Sequence, residues 1–103
     1  MKSQLAIITP AQDSPTQLPK SGRLILGSSK ERADVILDSQ GVADVHSVIA
    51  KTKDGGWAIQ DMGSEFGTII DGAPIEVARL KAGQTILLAS VSIKVIETET
   101  APS

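Results

Sequence analysis

The chain has 103 residues, enough for one domain with a real core and too few for two independent cores. Ten Lys and Arg against twelve Asp and Glu leave a net charge of −2, so no broad basic field exists to gather nucleic acid or an anionic membrane. The absence of cysteine excludes a disulfide framework, a thiolate metal site and thiol redox chemistry, and it fits a reducing cytosol.

The start, MKSQLAIITPAQDSP, holds one Lys and then an apolar run over 5–8, too short for a signal-peptide core or a membrane span. That run makes the first predicted strand, 4–9. Seven more follow, at 23–26, 35–37, 46–52, 57–62, 68–70, 85–88 and 91–96, each rich in Ile, Val, Leu or Thr. Turn signals separate them: DSP at Asp13, KSG at Lys20, KDGG at Lys53, DGAP at Asp71 and KAG at Lys81. Several runs alternate as a half-buried face requires, with Val91, Ile93 and Val95 set against Ser92, Lys94 and Ile96. Helical periodicity is nowhere sustained; the best stretch, 76–82, is short and runs straight into a glycine. Short strands at about eight- to twelve-residue spacing predict an all-β domain, a sandwich or a barrel. Internal repeats and low-complexity segments are absent, which removes solenoids and propellers. The domain is expected over 1–97, with 98–103 a polar tail or the start of a linker into a longer chain.

Groups for catalysis are sparse. His46 is the single histidine, and no nucleophile-elbow sequence accompanies it, so a structural role is expected rather than catalysis or metal binding. The carboxylates, Asp34, Asp38, Asp44, Asp54, Asp61 and Asp71, are scattered, most beside Gly or Ser, where short acceptor side chains bond nearby N–H groups. SSKER, 28–32, offers hydroxyls and two cations after Gly27, but Glu31 between the cations damps the field, so a solvated loop is favoured over an anion site. No cofactor and no metal are expected, and no enzyme activity. The chain's only Phe, Phe66, stands between an acid and a glycine in an expected turn, where a small or polar residue is usual.

In order, LILGSSKERADVILDSQGVADVHSVI, WAIQDMGSEFGTIIDGAPI and LKAGQTILLASVSIKVIE resemble the forkhead-associated (FHA) domain family. That family's pattern runs Gly-Arg, Asp-Ile-x-Leu, Ser-x-x-His, Asp-x-x-Ser-x-Asn-Gly-Thr and a late Leu-x-x-Gly-Asp. The resemblance covers 23–96. It implies an FHA-like β-sandwich of about eleven strands, with loops at one end forming the ligand surface.

Family members bind phosphothreonine peptides there, and the resemblance places each contact on a residue of this chain. The phosphate-gripping Arg after Gly27 is Ser28, a neutral donor without a fork. The phosphate-bonding Ser is Ala43, and the commonly basic position after it is Asp44, whose carboxylate would repel a phosphate by about 1 kcal/mol or more when partly desolvated. The Asn that holds the peptide backbone is Phe66. Gly27, Asp34, His46, Asp61, Ser64, Gly67 and Thr68 match family positions that shape loops, with His46 a brace between neighbouring loops.

The expected function is therefore a non-catalytic, FHA-like protein interaction or assembly module acting without phosphate, through Ser28, Ser29, Lys30, Arg32, Ala43, Asp44, Glu65 and Phe66. The alternative is a phosphothreonine-binding signalling domain that uses Lys30 and Arg32 as a substitute clamp. A third is a structural domain packed against a neighbour, with an exposed apolar strip. Phe66 has two readings, an inward cap on the core or an exposed anchor for a partner. The partner is expected to be a protein or peptide, with no nucleic acid and no membrane contact. Eroded sites of this kind occur in cytoplasmic parts of bacterial secretion rings and in larger signalling chains, which points to a cytoplasmic setting.

Overall fold

The computed structural model describes residues 3–10 and 14–99. Eleven strands form two sheets, without a helix among the described residues. The strands are β1 (Ser3–Ile8), β2 (Thr16–Gln17), β3 (Arg23–Gly27), β4 (Val35–Ile36), β5 (Ser47–Lys51), β6 (Trp57–Asp61), β7 (Thr68–Ile70), β8 (Ala73–Ile75), β9 (Val77–Arg79), β10 (Thr85–Leu88) and β11 (Val91–Glu99). One sheet has the order β2-β1-β11-β10-β7-β8 and the other β4-β3-β5-β6-β9. Of the pairs, only β3 with β4 is parallel among the described strands.

Alternation builds the core between the sheets. Ile7, Ile86, Leu88, Ile93 and Val95 from one sheet meet Leu26, Ile49 and Ile59 from the other, all fully buried. On β11, Ser92 and Lys94 point out while Val91, Ile93 and Val95 point in, as the period-2 pattern requires. The core is aliphatic: Trp57 packs half-buried at its margin, and Phe66 lies outside it.

All eight predicted strands exist, with ends shifted by at most three residues. Three were missed. β2 is two residues long, too short to show a period. β8 contains Pro74 inside the expected DGAP turn, which a central strand would not tolerate but this edge strand does. β9 lies in the stretch with the best helical pattern; its backbone instead pairs with β6, Val77 opposite Gln60 and Arg79 opposite Ala58. The turn between β7 and β8 is Asp71-Gly72, both with positive φ (49° and 86°), the hairpin chemistry that Asp-Gly favours.

β11 runs past the expected domain end at 97, and its last residue, Glu99, pairs with Ser3 at the start of β1. The remainder of the expected tail, 100–103, and the start of the turn expected at Asp13 fall outside the described residues.

Candidate functional site

The loops after β3, before β5 and after β6 meet at one end of the sandwich, and backbone contacts set their spacing. Ser28 N–H donates to the Ala43 carbonyl (3.0 Å) and Ser29 N–H to that of Asp44 (3.3 Å). This approach requires Gly27, because a Cβ there would lie 2.0 Å from the Asp44 carbonyl oxygen. Asp34 continues the ladder at the far end of the loop: its N–H donates to the Ile25 carbonyl, and its carboxylate accepts from the Ile25 N–H, each at 2.8 Å.

His46, fully buried, ties the next two loops together. Its Nδ1 accepts from Ala43 N–H (3.2 Å), so Nε2 carries the proton and donates to the Gly67 carbonyl (2.8 Å). The β6–β7 loop closes around Asp61, whose carboxylate accepts from the N–H groups of Gly63 and Ser64 and the hydroxyls of Ser64 and Thr68. Because the Thr68 hydroxyl is spent on Asp61, Ser47 supplies the proton in the 2.6 Å bond between Ser47 and Thr68. Partial burial pushes the Asp61 carboxyl up. The four hydrogen bonds outweigh it and hold the group below the ordinary carboxylate range. Gly27, His46, Asp61, Ser64, Gly67 and Thr68 thus make one connected frame.

The outward groups on that frame suit an anion poorly. The Ser28 hydroxyl is turned back, donating to the Val42 carbonyl at 3.0 Å. Ser29 accepts from the N–H groups of Glu31 and Arg32, folding the loop on itself. Ala43 is half-buried without a polar side-chain atom, and Asp44 is exposed beside it. Lys30 and Arg32 are exposed, and the one ion pair among the described residues, Arg79 with Asp54, lies elsewhere. Among those residues no three His, Cys, Asp or Glu side chains converge on a metal position.

Phe66 is 59% exposed, so the inward cap is corrected: its ring lies on the surface. The core has no room to recruit it, since Ile and Leu fill the space between the sheets. The ring rests against Gly41, where an added Cβ would sit 3.1 Å from ring carbon Cε2 and 3.0 Å from the Ala89 methyl. Glu65, Phe66, Gly41 and Ala89 thus surround a surface hollow that also involves Gln40, Ile69 and Ser90. Neither Gly41 nor Ala89 was singled out in the sequence. A glycine among many carries little signal, and alanine is not a turn residue.

The FHA domain model matches residues 24–89, well over half of the chain. Among solved structures, the FHA domain of the CT664 protein from Chlamydia trachomatis is 25% identical, with 96% of this chain and 98% of that one covered and a TM-score of 0.79. The FhaA FHA domain, solved in complex with the intracellular domain of Rv3910, is 26% identical, with 91% and 99% covered and a TM-score of 0.76. A domain studied for phosphothreonine-dependent FHA interactions shares the fold at 24% identity, 97% and 99% coverage and a TM-score of 0.80. No curated protein matches the sequence. With its strand order, its braced loops and the matched family model in agreement, the chain belongs to the FHA domain family.

Proposed function

We propose that this FHA domain is a non-catalytic protein interaction or assembly module whose contact does not depend on phosphate, and that it works as part of a longer cytoplasmic chain. The observation that carries the reading is the Ser28 hydroxyl, which donates to the Val42 carbonyl at the position where the family pattern puts arginine. A phosphate arriving there would meet no fork and no free donor from Ser28, no hydroxyl from Ala43 and a carboxylate from Asp44. An exposed Phe66 supplies apolar contact area of the kind that anchors protein interfaces. The absence of cysteine fits the cytoplasm.

The test is titration of the domain, by calorimetry at low salt, with a degenerate phosphothreonine peptide library and its unphosphorylated twin. Equal responses are expected from the wild type. Ser28→Arg with Ala43→Ser and Asp44→Arg should then create a preference for the phosphorylated library of at least about tenfold, from one bidentate charge-assisted contact and one removed repulsion.

One observation favours a second reading, a phosphothreonine-binding domain with an altered clamp. Lys30 and Arg32 are exposed on the relevant loop without a carboxylate partner among the described residues, and a neighbour in fold acts in phosphothreonine-dependent interactions. Under that reading the wild type prefers the phosphorylated library, and the preference weakens with salt.

A further inference from the structure

The hollow beside Phe66 does not end at the loop tips. Gly41, Glu65, Phe66, Ile69 and Ala89 line a volume of about 750 Å³. Pro10, Leu37, Asp38 and Val91 line a second of about 320 Å³, and Ser90 belongs to both. The two meet at Ser90 in the β10–β11 turn, and the strip they make together, a trough across that turn, is lined by apolar and polar side chains. Ser28, Ser29, Ala43 and Asp44 do not line it, so it is distinct from the positions that correspond to phosphate contacts.

Two features hold the trough open. Gly41 adopts φ +92°, and the space its missing side chain leaves is shared by the Phe66 ring and the Ala89 methyl. Ala89 itself has φ +56°, a left-handed conformation at the first position of a two-residue turn, which costs an alanine where a glycine would be relaxed. A strained residue whose methyl forms the floor of an exposed groove is an observation that points toward use of the groove.

Charge selects the occupant. Among the described residues, the lining contains two carboxylates, Asp38 and Glu65, both exposed, and no lysine or arginine. An anionic ligand is repelled there, and a cationic one gains. We infer that the trough from Pro10 to Phe66 docks an extended, unphosphorylated peptide segment that alternates apolar side chains with lysine or arginine. This rests on the phosphate-independent reading and adds to it the class of partner. An extended segment sends alternate side chains to opposite sides, so one set lies on Phe66, Ile69 and Ala89 while flanking cations reach Glu65 and Asp38.

The experiment is a titration of the isotope-labelled domain, followed by amide chemical shifts, with three peptide pools: leucine alternating with arginine, leucine alternating with glutamate, and a degenerate phosphothreonine pool. The arginine pool should move the amides of Gly41, Glu65, Phe66, Ala89 and Ser90, and the glutamate pool should leave them in place. Phe66→Ala, and separately Glu65→Lys with Asp38→Lys, should each weaken binding of the arginine pool at least tenfold. These side chains are exposed, so an unchanged circular dichroism spectrum and melting point are expected for both variants. Equal response to the arginine and glutamate pools, or no response to either, overturns the assigned occupant while leaving phosphate independence standing. Binding of the phosphothreonine pool alone, with shifts at Ser28, Ser29 and Asp44, overturns both.

Discussion

At the scale of single residues, His46 carries the most structure per atom. Buried and bonded at both ring nitrogens, it holds Ala43 and Gly67 at a fixed separation. His46→Ala would leave a cavity and two orphaned backbone groups, so a loss of about 2–4 kcal/mol is expected in urea unfolding. His46→Gln, which keeps a donor and an acceptor, should recover part of it. This brace was legible from sequence because a lone histidine falls at a recognisable spacing from Gly27 and from the Asp61 to Thr68 block. The Phe66, Gly41 and Ala89 cluster was not. Its members are remote in the chain and meet only after three loops fold together, and alanine in a left-handed turn leaves no compositional trace. The substitutions that remove family contacts were readable; where the replacement side chains then point was not. Ser28 turning back onto Val42 depends on the carbonyl presented by a loop fourteen residues away.

At the scale of elements, strands with buried side chains announced themselves, down to the two-residue β4, and the three without a buried side chain did not. β2, β8 and β9 have two or three residues each, and what defines them is backbone pairing with a neighbour, which composition does not encode. The β10–β11 hairpin shows an element at odds with its own turn. Releasing a left-handed alanine is worth about 1–2 kcal/mol, against about 0.4–1 kcal/mol for the extra freedom that glycine brings to the unfolded chain. Ala89→Gly should therefore stabilise the domain by about 0.5–1 kcal/mol, read as a raised urea midpoint at unchanged slope. The same variant removes the methyl from the trough floor and should weaken binding of the arginine pool.

At the scale of the whole molecule, sheet edges and pH response follow from the same layout. The four edge strands, β2, β8, β4 and β9, span two or three residues each, so little unpaired backbone is offered to another copy. Acid acts on the molecule through carboxylates fixed by folding. Asp61 is held below its ordinary value, and the Thr52 hydroxyl, Gly56 N–H and Arg79 guanidinium lower Asp54 to about 2. Both groups are depressed in the folded state, so their contribution is full above the unfolded value of about 3.9 and is lost as pH falls through the folded values. Urea midpoints should hold steady from about pH 7 to pH 5 and decline below about pH 4. Asp61→Asn should start lower and decline less steeply, with Asp54 supplying the remaining dependence.

The antiparallel pairing of β1 with β11 sets how this domain answers to force. Ser3 lies opposite Glu99, and the register closes five residues later at Ile8 opposite Lys94, so these two strand ends lie side by side. Tension applied between those two points opens the ladder like a zipper, rung after rung, and no large group of hydrogen bonds resists together. Tension between Glu99 and the trough at the other end of β11 runs along the strand instead. It loads the bonds to both β1 and β10 in parallel, as shear. The domain is soft when its own ends are drawn apart and stiff when it is pulled by whatever occupies its loops.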